Sequence, residues 1–189
     1  KGIKHIVLLG QNVNSYKISS DNLPQRTNKE LDDFTRLLKQ IDKLEGDFDY
    51  NFVSANPRNF SPSLIDFLPN SKKWNRYLHL PLQSGNDEIL KKMNRKYSVE
   101  NYLSIIKSLR DKCGKFRITT DIIVGFPEET KEQFDDTYHV CKKIGFNGAY
   151  VAQYSPRPQT LAQKKYEDDV PRMEKKRRWA KLNKLINQR

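Results

Sequence analysis

The chain has 189 residues, enough for one domain burying about 70% of its unfolded surface, and carries a formal net charge of +12 with a mean hydropathy of -0.85. Recurrent apolar runs argue for a globular fold rather than disorder, no run approaches the ~20 residues of a membrane span, and no signal-peptide pattern opens the chain. A soluble, cytoplasmic protein is expected, and because the chain starts at Lys1 in a strand-like segment, a fragment of something longer.

Lys4–Leu9 reads as the first strand and ends abruptly in "GQNVNSY". Residues 17–28 are polar and read as a mobile surface loop. Thr27 and Glu30 are spaced as a capping box, ahead of a helix with Leu31, Phe34, Leu38 and Ile41 at helical period. Tyr50–Val53 is a second strand, followed by a short helix opened by Ser61-Pro62 and carrying Leu64, Ile65 and Leu68. Tyr77–Leu82 reads as the third strand; Tyr102, Ile105, Ile106 and Leu109 define a helix after Ser98. Arg117–Val124 is the fourth strand, and Phe134, Tyr138 and Cys141 mark a helix with Thr130 and Gln133 as a capping box. Gly148–Tyr154 is the fifth strand, and Pro171 to about Gln188 a last helix with the apolar stripe Trp179, Leu182 and Ile186.

This alternation, without hairpin signals, predicts an α/β fold with a parallel sheet covered by helices. An open doubly wound sheet and part of a (β/α) barrel both satisfy it. Charge is concentrated at the end: Lys164 to Arg189 holds ten Lys/Arg against four Asp/Glu, or +6 of the total. That favours a polyanionic partner such as nucleic acid, or else a solvated basic helix face.

The two cysteines, Cys113 and Cys141, form no disulfide framework or metal spacing, and Cys141 falls on a helical apolar face where burial is its role. His5, His79 and His139 stand apart and read as structural. The pairs Asp135-Asp136 and Asp168-Asp169 read as solvated.

In both architectures ligands bind at the carboxyl ends of the strands. The segments there are "GQNVNSY", "SANPR", "QSGND", "GFPEET" and "SPRPQT", all rich in Gly, Pro, Ser, Asn and Gln. Turns use these residues in any case, but five on one rim would form a polar ring above an apolar barrel. Asp121 lies among apolar neighbours, so it either faces a ligand or belongs to a local network. Gly125 permits close backbone approach. There is no P-loop and no G-x-G-x-x-G.

"LLGQNVNSY", "LHLPLQSGNDEILKKMNRKY", "TTDIIVGFPEETKEQFDDT" and "YSPRPQTLA" resemble the radical S-adenosylmethionine (SAM) methylthiotransferases, and the first string their MiaB-type tRNA-modifying branch. The resemblance implies strands two to six of a (β/α)6 partial barrel over residues 1–170, with 171–189 a basic helix leading to an RNA-binding domain beyond Arg189. It also implies SAM, two 4Fe-4S clusters, and a methylthio group added to isopentenyl-adenosine in the tRNA anticodon stem-loop. Gly10, Gln11, Asn12, Ser54, Gln83, Ser84, Asp121, Gly125 and Phe126 would then line the cofactor cavity, with Tyr154 and Arg157 closing the rim toward substrate.

The chain departs from that pattern. A Ser-x-His-Pro-like string reads Ser54-Ala55-Asn56-Pro57, "GFPGET" becomes "GFPEET", and "RPGT" becomes "RPQT". The Cys-x-x-x-Cys-x-x-Cys loop whose thiolates hold the cluster does not occur; it would precede Lys1, as would an N-terminal cluster domain, so the chain alone is expected to be inactive. An exposed strand edge would invite pairing with a second copy. The competing expectations are a non-catalytic basic module binding RNA through its last helix, and another parallel-barrel enzyme with a small acidic substrate.

Overall fold

Five strands alternate with helices along the chain: β1 (His5–Leu8), α1 (Asp33–Lys43), β2 (Asp49–Phe52), α2 (Pro62–Phe67), β3 (Trp74–His79), α3 (Asp87–Lys92), α4 (Val99–Cys113), β4 (Arg117–Val124), α5 (Lys131–Ile144), β5 (Gly148–Gln153), α6 (Leu161–Lys165) and α7 (Arg172–Ile186). This is a computed structural model describing residues 2–18 and 31–188; most of the expected polar loop over 17–28 and the Thr27/Glu30 capping box lie outside the described residues. The chain packs as two units, residues 1–80 with 104–117, and 81–103 with 118–189.

In the first unit β1 pairs with β2 in parallel, His5 opposite Asp49 through Leu8 opposite Phe52. β2 pairs with β3 in parallel with a register shift between Tyr50, opposite Trp74, and Phe52, opposite Leu78. Arg76, at φ 57°, takes up that irregularity. Its core unites Phe34 and Leu38 of α1, Tyr50 and Phe52 of β2, Leu64 of α2 and Leu78 of β3, all 1% exposed or less. Phe34 and Phe52 meet edge to face at 5.2 Å. Asp32 caps α1: its carboxylate accepts from Thr35 N at 2.9 Å, and from the hydroxyls of Thr35 at 2.6 Å, Ser61 at 2.5 Å and Ser63 at 2.6 Å. One carboxylate thus joins the N-termini of α1 and α2. Burial alone would raise its pKa, but these hydrogen bonds together hold it below the usual value.

β3 lies earlier than the expected Tyr77–Leu82. Pro81 has no N–H to continue a ladder, whereas Tyr50 N donates to Lys73 O at 2.8 Å and draws pairing toward Trp74. α3 and α6 fall in segments whose residues are too few to show a helical period.

In the second unit β4 and β5 pair in parallel register, Thr119 opposite Gly148 through Val124 opposite Gln153. Ile118, Thr120, Ile122 and Val124 are buried, so alternate positions such as Asp121 and Ile123 occupy the opposite face. Thr130 and Gln133 form the expected capping box of α5, which ends at Gly145 in the left-handed region. Cys141 is buried on α5, as its helical spacing predicts. Gly85 is required by contact: a Cβ there would sit 2.6 Å from Thr137 Cα. α7 packs on β5 and α5. α4 begins in the second unit and continues in the first. Among the described residues no helix is long and apolar enough to cross a membrane.

Candidate functional site

The loop after β1 answers the composition of "GQNVNSY" in two ways. Asn14 is structural: its Nδ2 donates to Asn56 O at 2.9 Å, and its Oδ1 accepts from Asn56 N at 2.7 Å. A side-chain amide thus stands in for a neighbouring strand and ties the loop after β1 to the loop after β2. Asn59 Nδ2 adds a bond to Ser15 Oγ at 2.5 Å. Gly10, Gln11 and Asn12, by contrast, line a cavity of ≈ 320 Å³ floored by Leu8, Val13 and Phe34. The Oδ1 atoms of Asn12 and, in β2, Asn51 are buried without a hydrogen-bond partner among the described residues. Such acceptors carry a desolvation cost unless a ligand or water satisfies them.

Ser54, after β2, sits at φ 60°, and its N–H donates to Nδ1 of His79 at 3.2 Å. Nδ1 acts as the acceptor, which puts the proton of a neutral ring on Nε2. Asn56, where the family string has histidine, caps the turn Pro57–Asn59 by accepting from Arg58 N at 3.0 Å.

The second unit holds a cleft of ≈ 560 Å³ at the carboxyl ends of β4 and β5. Ile123, Phe126, Ala152 and Tyr154 make its apolar wall, and Arg95 and Arg157 stand among its lining residues. Phe126, 4% exposed, meets Tyr154 edge to face at 5.0 Å and Tyr166 at 5.9 Å. Three of the sequence-predicted residues, Phe126, Tyr154 and Arg157, therefore share this cleft. Lys92, Met93, Asn94 and Arg95 also line it and were not singled out from the sequence. Their signal was present: Asn94 follows a short apolar helical turn and takes the left-handed conformation, φ 57°, that ends many helices.

Gln83, Ser84, Asp121 and Gly125 contribute mainly backbone. Gln83, at φ 66°, bridges to β4: its N–H donates to Asp121 O at 2.8 Å and its carbonyl accepts from Ile123 N at 3.0 Å. Ser84 is fully buried, its hydroxyl 3.3 Å from Thr137 Oγ1. Asp121 is half-buried on the same strand face as Ile123. Gly125 has φ 68°, and a Cβ there would collide with Lys175 Cγ, so α7 makes the close approach that the glycine permits.

Strain gathers at these strand ends. Ser54, Gln83, Glu128 and Gln159, each just after a strand or in its following loop, have positive φ without being glycine. Such residues cluster where a fold over-determines a site. Glu128 and Gln159, at φ 62° and 67°, occupy the glycine positions of the "GFPGET" and "RPGT" strings.

Two basic residues of α7, Lys175 and Arg178, are turned inward, while Arg172, Lys176, Arg177 and Lys184 are exposed. Arg178 Nη1 donates to Glu129 Oε2 at 2.7 Å and to Glu129 O at 2.9 Å. Burial pushes the Glu129 carboxyl up, against the lowering effect of Gly125 N–H and Arg178. Glu174 is held down at about 2 by hydrogen bonds from Arg177 and then Arg178. Lys181 pairs with Asp135 at 2.7 Å, and Lys175 with Asp168. Asp136 accepts from Asn86 Nδ2 at 2.8 Å, and Asp169 from Glu128 N at 2.8 Å. Asp136, Asp168 and Asp169 are exposed, as expected of solvated carboxylates, and each of the four also has a defined partner.

The sequence model of the Radical SAM superfamily matches residues 1–141. The chain is 45% identical over 186 residues to a tRNA-2-methylthio-N(6)-dimethylallyladenosine synthase of Endomicrobium trichonymphae, covering 98% of this chain and 42% of that protein. It is 43% identical over 187 residues to the protein of that name from Fusobacterium nucleatum subsp. nucleatum, covering 99% of this chain and 41% of the relative. The chain thus spans about two fifths of the length of these relatives. Among solved structures, coproporphyrinogen III oxidase (HemN) from Escherichia coli, a Radical SAM enzyme, superposes with a TM-score of 0.62 at 23% identity, over 79% of this chain and 35% of HemN. That likeness decides the fold in favour of the partial (β/α) barrel over the open doubly wound sheet.

Proposed function

Since this chain belongs to the Radical SAM superfamily, we propose that it is the barrel portion of a cytoplasmic tRNA methylthiotransferase, which adds a methylthio group to isopentenyl-adenosine beside the anticodon. The observation that carries this reading is the 45% identity, across 98% of the chain, to a relative bearing that activity in its name.

The cleft of the second unit fits the adenosyl part of SAM. Phe126 and Tyr154 offer aromatic surface to a purine, while Arg95 and Arg157 bring cationic forks that suit a tRNA phosphate beside the adenosyl group. SAM, when bound, supplies the radical chemistry from which the superfamily takes its name. The protein's own task is to hold and orient. In this proposal Gly125 and Gln83 shape the strand ends from behind, their N–H groups given to Glu129 Oε2 and Asp121 O, Asp121 faces the bound group, and Tyr154 and Arg157 close the rim toward the tRNA base. In the first unit Gly10, Gln11, Asn12 and Ser54 are proposed to face ligand at their own strand ends, where Asn12 Oδ1 waits for a donor. Ser84 supports from behind, through Thr137.

An iron–sulfur cluster does not fit the residues described. Cys113 Sγ donates to Leu109 O at 2.9 Å, Cys141 is buried with its thiol pushed up to about 12 by burial, and no three His, Cys, Asp or Glu among the described residues are grouped to hold a metal. We therefore assign the clusters' ligands to other parts of the whole protein, and the chain alone is proposed to be inactive.

The alternative, a basic RNA-binding module without catalysis, loses part of its support because Lys175 and Arg178 of α7 are buried in ion pairs, while Arg172, Lys176, Arg177 and Lys184 remain exposed. The test is nucleoside mass spectrometry on tRNA from a host lacking the 2-methylthio modification, supplied with the whole protein that carries this chain. Appearance of 2-methylthio-N6-isopentenyladenosine is expected. Its absence, with soluble and cluster-loaded protein, would overturn the assignment.

A further inference from the structure

Two of the three buried charges among the described residues belong to the helix that composition marked as a nucleic-acid binder. Lys175 is 5% exposed and Arg178 4% exposed. One turn apart on α7, they reach the ends of two different strands. The stem of Lys175 fills the space a side chain at Gly125 would need. Its Nζ donates to Tyr154 O at 3.1 Å, pairs with Asp168, and stands 5.3 Å from the centre of the Tyr154 ring. Arg178 grips Glu129 through both its carbonyl and its carboxylate, and the same carboxylate oxygen accepts from Gly125 N at 2.6 Å. Arg178 also receives support from Glu174 at 2.8 Å.

Phe126 and Tyr154, the facing aromatic residues of the cleft, are the residues that follow or form these two anchor points. We propose that Lys175 and Arg178 are positioning residues: α7 straps the β4 and β5 ends from outside and thereby sets the Phe126–Tyr154 wall of the cleft. The inference rests on the reading of that cleft as the adenosyl site for its ligand consequence, but not for its structural one. A carbonyl and a carboxylate held by buried cations have little freedom to move, so the strand-end loop 125–130 and the segment from Tyr154 onward keep one geometry before ligand arrives. Arg172, Lys176 and Lys184 of the same helix are exposed and serve as internal controls.

Hydrogen exchange with mass spectrometry on the chain tests this directly. Lys175→Met keeps the stem and removes the cation; Arg178→Lys keeps the cation and removes the fork; Lys184→Met is the control. Expected are at least tenfold faster exchange at 154–160 in K175M and at 125–130 in R178K, with 118–123 unchanged, and wild-type exchange throughout in K184M. Should R178K not fold, the double variant E129Q/R178M removes both buried charges and reports on the same loop. Titration of the whole, cluster-loaded protein with S-adenosylhomocysteine follows, with at least tenfold weaker binding expected in K175M. If the two segments exchange within twofold of wild type, or if exchange rises uniformly along the chain, the positioning role is overturned. If the segments loosen locally but wild type binds no S-adenosylhomocysteine, the strap stands and the adenosyl reading of the cleft fails.

Discussion

Replacing Gln159 by glycine should make this protein more stable, although glycine ordinarily costs stability in a folded chain. Gln159 is exposed and held at φ 67°, in the left-handed region where a Cβ costs roughly 1–2 kcal/mol. Glycine removes that cost but widens the unfolded ensemble, which returns roughly 0.4–1 kcal/mol. The net expectation for Gln159→Gly is a gain of about 0.5–1 kcal/mol. For a chain of this size that raises Tm by about 1–4 °C. Glu128, at φ 62°, has the same backbone problem but pairs with Lys92 at 2.7 Å, its side chain 54% exposed. A partly exposed pair is worth about 0–1 kcal/mol, so Glu128→Gly should land near zero. Glu128→Gln then separates the two contributions, because it keeps the backbone strain and removes the charge. Urea denaturation of wild type, Q159G, E128G and E128Q measures all three differences at one temperature. A lower midpoint for Q159G at unchanged slope would refute the reasoning, because it would mean that the loop is not strained at Gln159.

Gly85→Ala should destabilise by about 3 kcal/mol, because its Cβ would meet Thr137 Cα at 2.6 Å; a denaturation midpoint equal to wild type would show that α5 moves aside freely. Asp32→Asn keeps an N-cap acceptor of equal rank and removes the titration. The carboxyl of Asp32 is lowered below 3.8 in the fold, so its contribution is present above the unfolded value and lost as pH falls through the folded one. The stability gap between wild type and D32N should therefore shrink below about pH 4, and a gap constant from pH 7 to 3 would count against it. Arg178→Met alone should cost about 3–5 kcal/mol by stranding Glu129, while E129Q/R178M should be markedly milder; a double-variant loss equal to the sum of the E129Q and R178M losses would show that the pair is not coupled.

The sequence alone carried the alternation of elements and most of their faces. β4 spans Arg117–Val124 as read, because its alternating burial is written along the strand, and the Thr130/Gln133 box caps α5 as read, because its contacts are three residues apart. Composition also placed the polar residues at strand ends. What it could not assign was which polar groups serve the fold. Asn14 and Ser84 look like Asn12 and Gln83 in the string, yet Asn14 binds the backbone of a residue 42 positions away and Ser84 meets a threonine 53 positions away. The end of β3 depended on where β2 offered hydrogen-bond partners, and α3 was too short to show a period.

Charge was the clearest case of tertiary decision. Ten basic residues in the last 26 are a fact of the sequence, and a basic run is most simply a solvated face. Only packing revealed that Lys175 and Arg178 point into the domain, because a buried cation is tolerated where carboxylates and carbonyls converge on it, and here Asp168, Glu129, Glu174 and Tyr154 O do. Likewise the two lost glycines were visible as letters, but their meaning required φ. Local chemistry and periodicity are written along the chain; partners brought together from distant positions are written only in the fold.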